Sequence, residues 1–208
     1  MPLSASHIKF ALDQIDYFKP NDLDKYLEGA IYPDSRYLSG LDRSKTHDYD
    51  FWLEKFWHDN DFKKGWASHN ISDKAYLNGI REIFPLWVDL NEEWVKIENC
   101  AVKIVGDIAV LGSLDIIDKL DIIKTVLNSN NESKEKMKEH LQLIKDCYKN
   151  GDRTSIADYF VIMTKSLGQD LGEKIMAKAE FFAADEKLSA AINEFFINGV
   201  KKEICKIL

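Results

Sequence analysis

The chain of 208 residues has few of the residues that cross-link or interrupt a polypeptide: three cysteines, four prolines and ten glycines. The cysteines are odd in number, far apart and in no Cys-x-x-Cys spacing, which argues against a disulfide framework or a zinc ribbon. We interpret Cys100, Cys147 and Cys205 as reduced, mostly buried thiols. The scarcity of proline and glycine, together with 30% charged residues, favours helices joined by short loops. We therefore predict an all-α protein, a multi-helix bundle.

The sequence also lacks long apolar runs, and it has no excess of basic residues. The net charge of −7 argues against general nucleic-acid binding, which needs basic surface to neutralise phosphates, but it allows a small phosphorylated substrate. No apolar run approaches the roughly 18 residues of a membrane span, and the N-terminus lacks a basic segment followed by an apolar one. We expect no transmembrane segment and a cytoplasmic location. P-loop, dinucleotide-binding and nucleophile-elbow motifs are absent, so those enzyme classes receive no support.

Apolar spacing predicts one helical domain over residues 1–208, with a metal-site half at about 1–128 and a helical C-terminal half at about 133–208 that could bind a protein partner. Loops are expected at 35–46 and 128–135. His140 and the Lys-rich helix around it are expected to face solvent. Helices are predicted over about 4–18, where Ser4 or Ser6 caps the first turn, and over 21–32, 47–60, 61–83, 88–112, 114–128, 133–149, 154–167 and 170–204, the last with a possible break around Ala184-Asp185.

Four of the five histidines fall in the first 70 residues, among acidic residues. His69 and Asp73 are four residues apart, so on a helix both side chains lie on one face and can share an ion. Asp34, His47 and His7 could complete the set. Zinc binds imidazole nitrogens and carboxylate oxygens in a compact shell, and a catalytic zinc keeps one position for water. The pattern therefore predicts a metal site.

Three segments of the chain resemble the zinc-dependent phospholipase C and P1/S1 nuclease family. They are Leu27-Glu28-Gly29-Ala30-Ile31-Tyr32-Pro33-Asp34, Ser44-Lys45-Thr46-His47 and Gly65-Trp66-Ala67-Ser68-His69-Asn70-Ile71-Ser72-Asp73. Members of that family show an acidic residue after a small-residue Gly-Ala segment, a histidine some dozen residues later, and then a G-x-x-x-H-x-x-x-D helix. The resemblance covers roughly residues 1–90.

The resemblance implies an all-helical fold with metal ions at the end of the bundle and hydrolysis of phosphate esters by metal-bound hydroxide. Asp34, His47, His69 and Asp73 match the four ligands of one zinc position, and His7 matches a histidine that serves a second metal with the aspartate of the helix. The family has further histidines after this helix, but none occurs here between Asp73 and His140. We therefore expect one or two ions, zinc or another divalent transition metal.

A weaker resemblance starts from the dipeptide His47-Asp48, which is typical of HD-type phosphohydrolases. His7 would then be the earlier histidine, and Asp73 or Asp107 the later aspartate. Both interpretations give a helical metallophosphohydrolase. The two interpretations differ in the primary ligands, which include Asp48 in the HD-type interpretation and Asp34 and His69 in the other. Either Asp34 or Asp48 would accept the proton.

Arg36, Arg43 and Lys45 lie between two of the proposed ligands. Guanidinium and ammonium groups there could hold substrate phosphate oxygens, or could form a solvated loop. The leading hypothesis is a metal-dependent phosphoric ester hydrolase acting on a phospholipid, a nucleotide or a small phosphodiester. The alternative is a non-catalytic helical interaction or regulatory protein with a vestigial metal site.

Overall fold

The fold is built from helices throughout the part of the chain that the structure describes. The computed structural model describes residues 3–47, 60–87, 92–113, 115–124, 132–149, 153–163 and 169–208. Within these ranges there is no strand, which confirms the all-α prediction.

The helices are numbered in chain order. The N-terminal ones are α1 (Ser4–Asp13), the single turn α2 (Ile15–Phe18), α3 (Leu23–Ile31), a 3-10 turn (Tyr32–Ser35), the single turn α4 (Arg36–Ser39), a second 3-10 turn (Arg43–Lys45) and α5 (Asp61–Ile83). The remaining ones are α6 (Glu93–Ser113), α7 (Ile116–Ile122), α8 (Lys134–Lys149), α9 (Arg153–Met163), α10 (Gln169–Ala184), α11 (Glu186–Glu194), a π-helical turn (Phe195–Gly199) and α12 (Val200–Ile207).

Several boundaries differ from the sequence-based predictions. The segment predicted as one helix over 4–18 breaks at Gln14. The segment predicted as a loop over 35–46 contains α4 and the second 3-10 turn, because short helical turns leave no periodic pattern in the sequence. Helix α5 has the predicted bounds. The predicted helix 47–60 falls almost entirely outside the described residues.

Two glycines let α3 and α5 cross with their backbones in contact. A β-carbon at Gly29 would lie 1.9 Å from the carbonyl oxygen of Phe62, and one at Gly65 would lie 1.9 Å from that of Tyr26. Any side chain at either position would therefore push the helices apart. Because His69 lies one turn beyond Gly65, this crossing brings its ring to the C-terminal end of α3.

The side-chain amide of Gln14 links α1 to α5 through hydrogen bonds. Its Nε2 lies 3.0 Å from the Phe10 carbonyl oxygen, and 3.0 Å from the hydroxyls of both Ser68 and Ser72. These two serines lie beside His69 and Asp73 on α5. The break that ends α1 at Gln14 thus supplies a polar contact that sets α1 against the helix carrying two proposed ligands.

Buried apolar residues from both ends of the sequence form one continuous cluster, from Ile8 and Ile71 to Ile144 and Phe196. Helix α1 packs against α3, α5 and α6 within it. Among the described helices, none combines the length and apolar content that a membrane span needs.

Two sequence-based expectations about burial are wrong. His140 is only 2% exposed, because it shares the inward face of α8 with Met137, Ile144 and Tyr148. The cysteines are not mostly buried: Cys205 is exposed, and Cys100 and Cys147 are half-buried.

Candidate metal centre

Five side chains proposed from the sequence converge at one buried point. Each residue is at most 6% exposed. They come from four parts of the chain: α1 carries His7, the first 3-10 turn carries Asp34, His47 follows the second 3-10 turn, and α5 carries His69 and Asp73. The fold therefore assembles residues that are up to 66 positions apart in the sequence.

His69 and Asp73 lie on one face of α5, as their spacing predicts, with His69 Nε2 3.9 Å from Asp73 Oδ2. The Nδ1 atom of His69 lies 2.8 Å from the carbonyl oxygen of Ala30. A carbonyl oxygen can only accept, so Nδ1 carries the proton and donates it. In a neutral ring the Nε2 atom then has a lone pair directed into the cluster.

His47 is oriented by Thr46. The Thr46 hydroxyl donates to the carbonyl oxygen of Arg43 at 3.3 Å and lies 2.7 Å from His47 Nδ1. Since its proton is used on Arg43, the hydroxyl accepts from Nδ1–H, and the His47 Nε2 also carries a lone pair. The indole of Trp66 donates to the Thr46 carbonyl oxygen at 2.7 Å, which fixes this segment against α5.

His7 is held differently. Neither of its ring nitrogens has a hydrogen-bond partner in the described part of the chain. Its ring stacks on that of His69, with centroids 3.7 Å apart and planes at 14°. Its Nε2 atom lies 3.6 Å from Asp34 Oδ2 and 3.7 Å from Asp73 Oδ1. The ring is therefore placed by packing and by the position of α1.

The distances between the inward-facing histidine nitrogens and aspartate oxygens are those expected between ligands of one metal ion. His47 Nε2 lies 3.3 Å from His69 Nε2, 3.7 Å from Asp73 Oδ2 and 3.9 Å from Asp34 Oδ1. Tetrahedral ligands held about 2.1 Å from zinc are about 3.4 Å apart. The possible ligand atoms form two groups, His7–Asp34–His69 and His47–His69–Asp73, within each of which they lie within 4.8 Å of one another. The two groups share His69.

Burial determines the protonation of these groups. It lowers the pKa values of His7 and His47, and the charge of His69 lowers both further. Burial also raises the pKa of Asp34, against the attraction of His69. Burial thus favours the neutral form of His7 and His47, which is the form that binds metals.

Solvent reaches the cluster at Asp34. Its side chain is 8% exposed, whereas those of His7, His47, His69 and Asp73 are at most 1% exposed. Half-buried Arg36 lies two residues beyond, and its Nε atom has no hydrogen-bond partner among the described residues. Its guanidinium carbon lies 4.1 Å from the centroid of the Tyr37 ring.

The other two basic residues proposed as phosphate ligands are more exposed. Arg43 and Lys45 lie exposed on the second 3-10 turn. The charge of Arg43 nevertheless contributes to the lowered pKa of His47, after burial and His69. Arg36 is the least exposed of the three, and its charge acts to lower the pKa of Asp34 against the effect of burial.

The proposed catalytic residue Asp48 lies outside the described residues. Asp107, the other late aspartate of the HD-type alternative, is not in the cluster, since its carboxylate binds Ser6 and Tyr148. Two groups that orient the ligands were missed by the sequence analysis. One is the backbone carbonyl of Ala30, which has no sequence signal, and the other is Thr46, whose position immediately before His47 was a usable signal.

Comparison with protein-family models, with curated proteins and with solved structures finds no match to this chain. The likeness to zinc-dependent phospholipases C and P1/S1 nucleases stays a prediction. A function for the chain is therefore inferred from the geometry and chemistry of the cluster.

Proposed function

We propose that this protein is a metal-dependent hydrolase of phosphate esters, with one or two divalent ions held by His7, Asp34, His47, His69 and Asp73. The observation that carries the proposal is the approach of two histidine Nε2 lone pairs, on His47 and His69, with two carboxylates beside them. Every one of these atoms is a hydrogen-bond acceptor. Two buried imidazole lone pairs that face each other are costly, and a cation between them relieves that cost.

The ligand set favours a transition metal. Magnesium and calcium prefer oxygen ligands, whereas three imidazole nitrogens with two carboxylates suit zinc, iron, manganese or nickel. The hydrogen bonds from His69 Nδ1 to Ala30 and from His47 Nδ1 to Thr46 are the outer partners that metal-binding histidines need. Zinc is the first candidate.

A bound ion of this kind would lower the pKa of a water molecule and withdraw charge from a phosphoryl oxygen. Asp34, at the solvent side of the cluster, would take one proton of the attacking water. The water oxygen forms a bond to phosphorus, the bond from phosphorus to the ester oxygen breaks, and the leaving alcohol takes a proton from solvent. A carboxylate oxygen of Asp34 that does not hold the ion would be the acceptor of this proton.

Arg36 supports a phosphoryl substrate in particular. Its Nε–H lacks an acceptor among the described residues, and a phosphoryl oxygen would supply one through a charge-assisted hydrogen bond. A phospholipid, a nucleotide and a small phosphodiester all carry this group. The function is therefore proposed at the level of the phosphate ester.

The test begins with elemental analysis of the purified protein. We expect one or two equivalents of a transition metal, loss of bis(p-nitrophenyl) phosphate hydrolysis on chelation, and its return when zinc or manganese is added. His69→Ala should lose both metal and turnover. His140→Gln is the matched control, because it changes a histidine that is also buried but lies on α8, and it should keep both.

Substrate class follows from the same assay with p-nitrophenyl phosphate, a dinucleotide and phosphatidylcholine in mixed micelles. Protein that binds no transition metal and hydrolyses none of these substrates would overturn the proposal. Stoichiometric metal without hydrolysis would overturn the catalytic part and favour the alternative of an interaction protein with a vestigial metal site.

A further inference from the structure

The first turn of α1, which carries His7, has no cap of its own. The N-cap residue Leu3 makes no side-chain hydrogen bond to the helix, although the first four N–H groups of a helix lack partners within it. Ser4 and Ser6, which the sequence suggested as caps, lie inside the helix. The missing cap comes from a distant part of the chain.

Asp107 on α6 supplies the missing cap of α1. Its Oδ1 atom accepts from the backbone N–H of Ser6 at 2.7 Å and from the Ser6 hydroxyl at 2.5 Å. Its other oxygen accepts from the hydroxyl of Tyr148. Asp107 is fully buried, so this carboxylate is fixed on both sides. A negative charge at this end of a helix is also favoured by the helix dipole.

This cap lies one residue before His7. His47 and His69 each have an Nδ1 hydrogen bond that sets the direction of the ring, but His7 has none in the described part of the chain. Its direction therefore depends on where the first turn of α1 lies. Asp107 binds that turn through Ser6 and makes no hydrogen bond to the His7 ring.

We infer that Asp107 is a positioning residue for His7, which places the imidazole against His69 by capping α1 from another helix. The consequence for metal binding rests on the proposed function. His7 belongs to the group His7–Asp34–His69 and not to His47–His69–Asp73. Loss of the cap should therefore weaken the binding of an ion that uses His7 and leave the arrangement of His47, His69 and Asp73 in place.

The first measurement needs no metal. In metal-free protein, stacking on His69 shifts the ring protons of His7 upfield in the NMR spectrum, and a His7→Asn variant identifies these signals. Asp107→Ala should move them towards random-coil values. Asp107→Asn keeps an acceptor oxygen for Ser6 and should preserve them.

The second measurement is zinc titration against a chromophoric chelator. Asp107→Ala should weaken one class of site about tenfold to a hundredfold, the range found when an outer partner of a ligand is removed, and kcat should fall with it. Val110→Ala is the control for stability, because it makes a small cavity at a buried position on the same helix. It should leave zinc affinity unchanged.

A matched pair of mild variants keeps the inference testable if Asp107→Ala does not fold. Ser6→Ala removes one bond to Asp107, whereas Ser4→Ala removes a hydroxyl of the same helix that contacts Tyr159. Only Ser6→Ala should shift the His7 signals. Equal shifts in both variants, or unchanged signals in Asp107→Ala, would overturn the inference. Absence of zinc binding in the wild type would overturn the proposed function alone, since the ring signals still decide the role of Asp107.

Discussion

The Nε2 atoms of His47 and His69 face each other at 3.3 Å, each with its Nδ1 atom committed to a partner outside the cluster. His69 donates to the carbonyl of Ala30, and His47 donates to a hydroxyl whose own proton is used on Arg43. Both tautomers are therefore fixed by backbone carbonyls. Two lone pairs at this distance repel each other unless a cation lies between them.

Thr46→Val tests this arrangement, because valine keeps the shape of threonine and removes the acceptor for His47 Nδ1–H. We expect zinc affinity to fall about tenfold to a hundredfold, and the free energy of unfolding to fall by about 1–3 kcal/mol because the buried Nδ1–H loses its acceptor. The measurement is zinc titration against a competing chelator. Ser113→Ala is the control, since the Ser113 hydroxyl also donates to a backbone carbonyl, that of Val110, and its loss should not affect zinc.

Gly65→Ala should separate α3 from α5. The added methyl group would lie 1.9 Å from the Tyr26 carbonyl oxygen, so the helices must move, and the hydrogen bond from His69 to Ala30 is lost. We expect the free energy of unfolding to fall by about 2 kcal/mol or more and zinc binding to weaken in the folded protein. Urea denaturation and zinc titration measure the two effects.

Gly112→Ala is the matched control for that variant. Gly112 also lies in a helix, but nothing lies within 4 Å of an added β-carbon. Alanine is favoured over glycine in a helix by about 1 kcal/mol. The control should therefore be as stable as the wild type or more stable, and a loss of stability equal to that of Gly65→Ala would contradict the steric explanation.

The sequence alone predicted the features that depend on residue spacing within one helix. The four-residue spacing of His69 and Asp73 predicts a shared helix face, and α5 has the predicted bounds. The burial of His140 could also have been predicted, since Met137, Ile144 and Tyr148 recur at helical spacing with it.

Contacts across long sequence separations could not be predicted in the same way. Asp107 caps a helix 101 residues away, and Gly29 meets α5 through its backbone. Such pairings depend on how the helices pack, and local periodicity carries no information about them. The ligand Asp34 is an intermediate case, because its acidic side chain near the histidines and a family resemblance indicated it, whereas its 3-10 turn has no periodic pattern.

Arg36→Gln should separate substrate binding from metal binding. The variant keeps a polar side chain but loses the positive charge and the Nε–H that would hold a phosphoryl oxygen. We expect the KM for a phosphodiester to rise about tenfold, as loss of a charge-assisted hydrogen bond of about 1.5 kcal/mol requires, while zinc content stays the same. Arg81→Gln on the exposed side of α5 is the control. Lost zinc in Arg36→Gln would point to a structural role.

His140 should make folding stability depend on pH. Burial lowers the pKa of His140 to about 4, from an ordinary value of 6.5, so the unfolded chain binds more protons between these values. The contribution of His140 is full above pH 6.5 and is lost as the pH falls to 4, by about 3 kcal/mol. Urea denaturation at pH 4.5 and 7 should show a loss of stability in Asp107→Asn that exceeds, by about this amount, the loss in the double variant Asp107→Asn/His140→Gln.

Asp107 should make folding stability depend on pH in the opposite direction. Burial raises its pKa to about 6, against the hydrogen bonds from Ser6 and Tyr148, from an ordinary value of 3.8. The folded protein then binds the proton more tightly than the unfolded chain. Its contribution to stability is full below pH 3.8 and is lost as the pH rises through 6, again by about 3 kcal/mol. Asp107→Asn, which resembles the protonated acid, removes this loss.

The two contributions offset each other in the wild type between pH 4 and 6, so the single variants reveal them. Relative to the double variant, stability of His140→Gln should fall as the pH rises through this range, and stability of Asp107→Asn should rise. The double variant should keep only the pH dependence of the remaining groups, among them His7 and His47, whose pKa values are also lowered by burial. His140 contacts Tyr159 and Asp107 contacts Tyr148, and the two tyrosine rings lie 5.7 Å apart. A double-mutant cycle that departs from additivity would show that the two titrations are coupled through these rings.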